Sequence, residues 1–558
     1  MKKILILISS WLSLNTAYCH AASPELSQGA QQLIAKRMSQ QAYPSLLVGV
    51  LDLNRDANPA WFGFGNLETD SNKTLRLPDQ HTLYEIGSIT KTFTALLLAQ
   101  ELQQGRLNLN FPVQLLLDFP IGSQEKNSIT LQQLATHSSG LPRLPANMQP
   151  AQPGNPYADY DKAKLAAYLY TYQKSAATEH PYSYSNLGYG LLGYALANSH
   201  KTSYGELLQT RILKPLGMQA SSLDANSASN PLKAKPTATN QASAQEWDFD
   251  VLAGAGAIRS SGQDMMRYLK QQIAPGNDAM GLAIKLAQQP LRKTGRGDEQ
   301  IGLGWHISRQ NAQTIYGHGG MTGSYASYAA FSPDKKRAVY VVTNTARDVS
   351  DIAQLALLNA QHYDDPEHRA ALDTKPEDLS AYLGSYALTP QIKFTLTLKN
   401  QTLQAQLTGQ SAYPVFAESA DLFFYKVVDA KLRFIRDADG KVTALELLQN
   451  GVTQRANKLA QVAASASTEI SLAPELLMQY AGHYELTPQI KIHIRLEAQQ
   501  LIAQLSGQGP APIYAKAQDH FFYKVVEAEL RFQRDPNGKV NGLTLLQNGQ
   551  QLPAKKID

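Results

Sequence analysis

A serine and a lysine three residues apart are the most reactive-looking pair in the sequence. They are Ser88 and Lys91, in the stretch Tyr-Glu-Ile-Gly-Ser-Ile-Thr-Lys-Thr-Phe-Thr that starts at Tyr84. The apolar residues that follow predict a helix that ends near Gly105, and positions three apart share one helical face. At the start of this helix the serine hydroxyl would lie where the backbone amides favour negative charge. The pair therefore predicts a serine nucleophile with a lysine as its base.

A second motif, Tyr184-Ser-Asn186, would complete this chemistry. In an extended loop, alternate residues point to the same side. Acyl transfer needs a base for the nucleophile and a proton for the leaving group. We expect Lys91 and Tyr184 to share these acid and base roles, and neighbouring cations to lower the pKa of both groups. Asn186 is expected to hold the substrate and the lysine.

The third motif is His318-Gly319-Gly320 at the end of a predicted strand. Glycines let a substrate lie close to a strand edge because they have no Cβ. We expect His318, Gly319 and Gly320 to bind substrate. The backbone N–H groups of Ser88 and Met321 are the expected donors to the tetrahedral oxyanion.

The three motifs together resemble the class C β-lactamase and penicillin-binding peptidase family of serine hydrolases. The stretch from Tyr84 to Lys91 is similar to that family's nucleophile motif almost throughout, and the resemblance extends roughly from Ser23 to Tyr363. It implies an α/β (α+β) catalytic domain of the serine β-lactamase/transpeptidase type, with helices on an antiparallel sheet and a helical lobe. It also implies an acyl-enzyme at Ser88. We expect no cofactor and no metal.

The third motif departs from the family pattern. True class C β-lactamases carry lysine where His318 stands and threonine at Gly319. Histidine is mostly neutral at pH 7, so a peptidase or esterase that acts on D-amino-acid peptides or esters is favoured. A true β-lactamase, or a sensor that stays acylated by penicillin, remains the alternative. If His318 binds a carboxylate, affinity should rise as the pH falls through about 6.5.

Other classes of hydrolase and ligand are less compatible with the sequence. It has no Gly-x-Ser-x-Gly elbow, no His-Glu-x-x-His zinc motif and no nucleotide-binding glycine loop. A net charge of +5 over 558 residues, without a basic cluster, does not indicate nucleic acid. The expected partner is a small-molecule or peptide substrate, such as a peptidoglycan-like peptide, an ester or a β-lactam.

The N-terminus has the pattern of a secretory signal. Lys2 and Lys3 precede an apolar run, and Ala21 and Ala22 suit cleavage. We therefore predict a signal peptide at 1–21, export to a bacterial periplasm and a hydrolase domain at 22–363. A membrane anchor is the alternative, but the run is short compared with the roughly 20 apolar residues of a membrane span.

The C-terminal part is a tandem duplication. Tyr382 recurs as Tyr480, and Phe423 recurs as Phe521, each 98 residues later. Alternating apolar residues predict strands, and a unit of this length suits a barrel of roughly eight strands. We predict barrels at 376–459 and 474–558 with a linker at 460–473. They resemble lipocalin-like barrels that follow the catalytic domain in some members of this family, which implies that copies of the chain could assemble through them.

Overall fold

The computed structural model describes most of the chain, which divides into two compact units between Lys458 and Leu459. The first unit holds a sheet-and-helix region together with one barrel, and the second holds another barrel. The described residues are 24–67, 75–122, 128–172, 180–224, 232–240, 244–389, 392–449, 452–459, 469–487, 490–506, 510–523, 528–547 and 550–558. The predicted signal peptide lies outside them.

An eight-stranded antiparallel sheet forms the centre of the sheet-and-helix region, in the order β2-β1-β10-β9-β8-β7-β6-β5. A separate antiparallel pair is formed by β3 and β4, and β3 ends three residues before Ser88. The strands are β1 Ser45–Asp52, β2 Ala60–Gly65, β3 Leu83–Glu85, β4 Arg259–Ser261, β5 Arg292–Lys293, β6 Gln300–Ile301, β7 His306–Gln310, β8 Gln313–Met321, β9 Ala326–Ser332 and β10 Arg337–Thr343.

Helices cover both faces of this sheet. Alternate residues of a strand point to opposite faces: Val339 and Val341 pack with the helices of one face, and Ala338 and Tyr340 belong to the core on the other. Because both faces are covered, β10 is buried throughout. The helices are α1 Gln28–Ser39, α2 Thr90–Gln103, α3 Leu131–Ala135, α4 Lys162–Thr171, α5 Asn186–Ser199, α6 Tyr204–Leu208, α7 Gly262–Ile273, α8 Ala279–Ala287 and α9 Ser350–Leu357.

Short helical turns join these elements. A 3-10 turn over Gly87–Ile89 leads directly into α2, and a π-helical turn over Gln209–Leu213 continues α6. Helix α9 is short and begins at Ser350. It ends at Leu357, and Asn359 adopts a left-handed conformation with φ of +53°, which ends the helix.

Each C-terminal repeat is a closed, eight-stranded antiparallel barrel, as predicted. The duplication extends to side-chain contacts, because Arg436 pairs with Asp421 in the first barrel as Arg534 pairs with Asp519 in the second. Short helices, α10 Pro376–Leu379 and α11 Pro474–Met478, precede them. The first barrel has β11 Gly384–Ala387, β12 Lys393–Lys399, β13 Thr402–Leu407, β14 Tyr413–Ser419, β15 Leu422–Tyr425, β16 Ala430–Arg436, β17 Val442–Gln449 and β18 Val452–Lys458; the second has β19 Gly482–Thr487, β20 Ile490–Glu497, β21 Gln500–Leu505, β22 Ala511–Ala517, β23 His520–Tyr523, β24 Ala528–Arg534, β25 Val540–Gln547 and β26 Gln550–Lys556.

The predicted architecture is thus confirmed: an α/β region with an antiparallel sheet, followed by two all-β barrels. Among the described residues, none of the helices combines the length and the apolar character that crossing a membrane would require.

Candidate active site

Ser88 lies in the 3-10 turn that opens into α2, at the point where this turn meets the end of β8. Gly87 has a φ of +51°, and a Cβ built there would lie 2.7 Å from the backbone N of Met321. Only glycine fits both the conformation and the contact. The two predicted oxyanion donors, the N–H groups of Ser88 and Met321, are therefore carried by segments that touch each other.

Lys91 occupies the next turn and is completely buried. Its Nζ atom lies 2.9 Å from Ser88 Oγ. It also donates to Asn186 Oδ1 at 2.9 Å and to the carbonyl oxygen of Ala255 at 2.6 Å. The structure thus brings together three of the residues that the motifs predicted, and it adds a backbone carbonyl that no motif indicated.

These contacts suit an uncharged lysine. Burial and the nearby charge of Arg143 hold the pKa of Lys91 well below its usual range, and none of the described carboxylates forms an ion pair with it. A neutral amine has two N–H groups and one lone pair. Because the oxygens of Asn186 and Ala255 only accept, they take the two N–H groups and leave the lone pair for the hydroxyl proton of Ser88.

Tyr184 approaches the same hydroxyl from another element, close enough for Ser88 to lower the pKa of the phenol in part. Its ring lies 4.9 Å from Lys91 Nζ and 4.4 Å from the ring of His137, measured to the ring centroids. Burial raises the pKa of Tyr184 to about 12. The expectation that neighbouring cations lower the pKa is therefore correct for the lysine and wrong for the tyrosine, which keeps its proton at neutral pH.

The loop that carries Tyr184 is held in place by two residues. His137, whose φ is +54°, accepts from the N–H of Ser185 through Nδ1 at 3.0 Å, and its carbonyl accepts from the N–H of Ser183 at 2.7 Å. Ser185 caps α5 by accepting from the N–H of Gly188 at 2.9 Å. His137 therefore fixes this loop by hydrogen bonding.

The end of β8 lies directly against the nucleophile turn. A Cβ built on Gly320 would lie only 1.9 Å from the carbonyl oxygen of Ile86, and Ser327 Oγ donates to that same oxygen at 2.9 Å. Gly319 is exposed, and the heavy atom nearest to a Cβ built on it would be 3.5 Å away. The two glycines of the motif therefore have different structural roles.

His318 is 3% exposed, and its ring centroid lies 6.4 Å from that of Tyr184. Because a carbonyl oxygen only accepts, the 2.7 Å contact of Nδ1 with the carbonyl of Gly319 places the ring proton on Nδ1. Burial, His306 and Lys91 together hold the pKa of His318 well below its usual range. Across physiological pH this residue is a neutral imidazole, so any carboxylate that it binds meets no positive charge.

Sequence reasoning missed Tyr157, whose hydroxyl accepts from Asn186 Nδ2 at 2.9 Å. Tyr157 is 3% exposed and comes from the long connection between α3 and α4. It also missed Arg143, whose guanidinium lies 5.2 Å from the ring centroid of Tyr184. No local pattern marks either residue, because each reaches the site through the folding of a long connection.

A family model described as Beta-lactamase matches residues 30–363. The chain belongs to this family. A second model, described as a domain of unknown function (DUF3471), matches residues 368–459 and 466–555, which are the two barrel repeats.

Three similar proteins illustrate the range of the family. The D-alanyl-D-alanine-carboxypeptidase/endopeptidase AmpH of Escherichia coli (strain K12) is 27% identical over 61% of this chain and 91% of its own. Penicillin-binding protein 4* of Bacillus subtilis (strain 168) is 25% identical over 67% of this chain and 87% of its own. The octameric penicillin-binding protein homologue from Pyrococcus abyssi has a similar fold, with a TM-score of 0.55 and 22% identity over 76% of this chain and 99% of that one.

Proposed function

We propose that the protein is an exported serine hydrolase that cleaves amide or ester bonds through an acyl-enzyme at Ser88. The observation that carries the proposal is the geometry around Lys91. Its amine lies 2.9 Å from Ser88 Oγ, is buried and has its remaining hydrogen-bond partners limited to acceptors. This arrangement supports a lysine that takes the serine proton.

The remaining residues have matching roles in the proposed mechanism. Lys91 takes the proton from Ser88 Oγ as this oxygen attacks the substrate carbonyl, and the N–H groups of Ser88 and Met321 bind the oxyanion. Tyr184 then protonates the leaving group and recovers a proton from Lys91. Water attacks the acyl-enzyme in the reverse sense, with the same groups.

Asn186, His318, Gly319 and Gly320 position the substrate in this proposal. Asn186 already orients Lys91, and the exposed Gly319 leaves room along the edge of β8. The neutral His318 favours D-amino-acid peptide or ester substrates over efficient turnover of β-lactams. The name of the carboxypeptidase relative supports the same substrate class.

Two further parts of the proposal concern compartment and assembly. The basic and then apolar N-terminus supports export to a periplasm. The octameric relative, whose matched region is longer than the catalytic domain, supports assembly of copies of this chain, with the barrels as the contact. A dimer or larger oligomer that dissociates when the barrels are removed is the expected result.

Covalent labelling followed by turnover tests the proposed reaction. A fluorescent penicillin or fluorophosphonate should label the wild type, and Ser88→Ala should abolish the label. Lys91→Ala and Tyr184→Phe should each lower kcat on a D-Ala-D-Ala peptide or a short-chain ester by a similar large factor, and the losses should not multiply in the double variant. Full activity in Lys91→Ala would contradict the proposed mechanism.

The rate at which label is lost distinguishes the alternatives. Recovery of free enzyme within minutes, with cleavage of the peptide or ester, supports the peptidase or esterase. Rapid hydrolysis of the β-lactam itself would instead indicate a true β-lactamase. A label that persists, without any product, would indicate a sensor that binds penicillin irreversibly.

A further inference from the structure

Two arginines lie at the tyrosines that surround the catalytic serine. The guanidinium carbon of Arg143 lies 5.2 Å from the ring centroid of Tyr184, and that of Arg296 lies 5.5 Å from the ring centroid of Tyr182. Both arginines are exposed. They come from different loops, one before α4 and one between β5 and β6, and they meet at the loop that carries both tyrosines.

Neither guanidinium group is held in an ion pair within the described part of the chain. Among the described residues, no carboxylate forms an ion pair with Arg143 or Arg296, and no side chain or carbonyl accepts a hydrogen bond from either guanidinium. Glu299 is near enough for its charge to interact with that of Arg296, but its Oε1 accepts from Thr294 Oγ1 at 2.9 Å and contacts His306 Nδ1 at 3.2 Å instead of pairing with the guanidinium. Two permanent positive charges therefore face solvent beside the nucleophile.

Both arginine-bearing loops are hydrogen-bonded to the segment that includes Tyr182, Tyr184 and the start of α5. The carbonyl of Arg143 accepts from the N–H groups of Asn186 at 3.0 Å and Leu187 at 3.2 Å, which are the first amides of α5. Arg292, at the start of the β5–β6 hairpin, donates to the carbonyl of His180 at 2.6 Å. The backbones of both arginine-bearing loops are therefore anchored to the same scaffold that positions Tyr184.

These charges also act on the catalytic groups. Burial of the amine is the larger cause of the low pKa of Lys91, and the charge of Arg143 is the second. A positive field this close to the reacting serine would attract an anionic substrate and oppose a cationic one. His318 is neutral and cannot supply this charge.

We propose that Arg143 and Arg296 select substrates that carry a carboxylate, and that they supply the positive charge absent from the end of β8. This inference rests on the proposed hydrolase function and assigns its charge preference to two loop residues that no motif includes. A planar guanidinium can bind a carboxylate through two parallel hydrogen bonds, which gives the site orientation as well as attraction.

Two pairs of esters, matched in size and different in charge, test the proposal. One pair differs in the acyl group: para-nitrophenyl butyrate and para-nitrophenyl hydrogen succinate. The other differs in the leaving group: the phenylacetyl esters of meta-hydroxybenzamide and meta-hydroxybenzoate. The quantity compared is the ratio of kcat/KM for the charged member to that for the neutral member, measured at the pH where the activity of each variant is maximal.

The wild type should prefer the charged member of at least one pair, and added salt should reduce that preference. Arg143→Gln and Arg296→Gln should each lower the ratio by roughly tenfold, between the small effect of an exposed ion pair and the larger one of a buried pair. Arg143→Lys should retain part of the preference. Arg309→Gln, an exposed arginine on β7, is the matched control and should leave the ratio unchanged.

The outcomes distinguish this inference from the function on which it rests. If both variants cleave the charged and neutral esters in the wild-type ratio, the arginines do not select charge and the inference is overturned alone. If the wild type cleaves none of the four esters and no probe labels Ser88, the hydrolase proposal fails and the inference fails with it.

Discussion

Asn186 contacts Lys91 and Tyr157 at the same time, with Oδ1 and Nδ2 each at 2.9 Å from its partner. The amide is 8% exposed, so both ends are bound within the protein before any substrate arrives. Its oxygen orients the lysine, and its nitrogen is held by a phenol from a distant loop. The orientation of Lys91 thus depends on Tyr157, a residue outside the three motifs.

Variants at these two positions should differ in severity. Asn186→Leu removes an acceptor from a buried amine, so kcat should fall by roughly a hundredfold, in the range usual for a misplaced acid–base group. Tyr157→Phe leaves the amide in place and removes only its support, so the loss should be a few-fold. Steady-state kinetics on a neutral ester measures both. Equal losses would show that Tyr157 contacts the substrate directly.

The pH dependence of activity should report Lys91. Because the neutral amine is the base in the proposed mechanism, kcat/KM for a neutral ester should rise with pH through the pKa of Lys91, which burial and Arg143 hold well below the usual value. Tyr184, with a pKa of about 12, should cause no loss of activity at moderately alkaline pH. Arg143→Gln removes a neighbouring positive charge and should move the rising limb to higher pH.

His318 should contribute no step to this profile near neutral pH. The free histidine value would place a change in carboxylate affinity near 6.5, but burial, His306 and Lys91 displace the pKa of His318 far below it. His318→Gln should therefore leave the pH dependence of KM for a carboxylate substrate unchanged near neutral pH. A wild-type inflection at 6.5 that this variant removes would contradict the neutral assignment.

Glu85, three residues before the nucleophile, should make stability depend on pH. Burial raises its pKa to about 7, and Arg259 at 3.3 Å only partly opposes this. Between the unfolded value near 4.5 and this folded value, the folded protein holds more protons than the unfolded one. The free energy of unfolding should therefore fall as the pH rises through this window, by on the order of 3 kcal/mol.

Glu85→Gln should flatten that decline. Denaturant unfolding of the wild type and the variant at pH 5 and pH 8 gives the comparison, and the difference between the two pH values is the quantity of interest. The absolute stability of the variant can change because Gln pairs poorly with Arg259. Equal slopes in both proteins would show that Glu85 is already ionised at pH 5.

The two glycines of the third motif provide a matched pair. Gly320→Ala would place a methyl group 1.9 Å from the carbonyl of Ile86, so β8 or the nucleophile turn must move. Overpacking of this kind typically costs about 1–3 kcal/mol, and activity should be lost with it. In Gly319→Ala the new methyl group would have its nearest neighbour at 3.5 Å, which is ordinary contact. This variant should therefore keep both its stability and the labelling of Ser88. Thermal unfolding and labelling distinguish the two.

Much of this molecule could be predicted from local sequence. The spacing of Ser88 and Lys91 determines their common helical face, and the repeat that relates Tyr382 to Tyr480 determines that two similar barrels follow. Both predictions depend on residues that are close in the chain or on exact repetition. The sheet-and-helix fold followed from the family resemblance rather than from the periodicity alone.

What could not be predicted depends on contacts between distant segments. The carbonyl of Ala255 and the phenol of Tyr157 reach Lys91 and Asn186 across long connections, and a backbone carbonyl has no sequence signature. The pKa of Tyr184 was expected to fall because cations lie near it, but burial has the larger effect and raises it. Whether charge or burial dominates is decided by packing density, which the order of residues does not reveal.

The first barrel should influence the site around Ser88 through the turn that carries Arg296. A Cβ built on Gly297, next to Arg296, would lie 2.9 Å from the carbonyl of Thr453 in β18, whereas one on Gly295 would meet nothing within 4 Å. Both glycines have positive φ, +58° and +79°, so alanine strains the backbone at either position. Gly297→Ala should therefore change kcat/KM for charged esters more than Gly295→Ala, because it alone pushes the turn away from the barrel. Equal effects of the two variants would show that the barrel does not position Arg296.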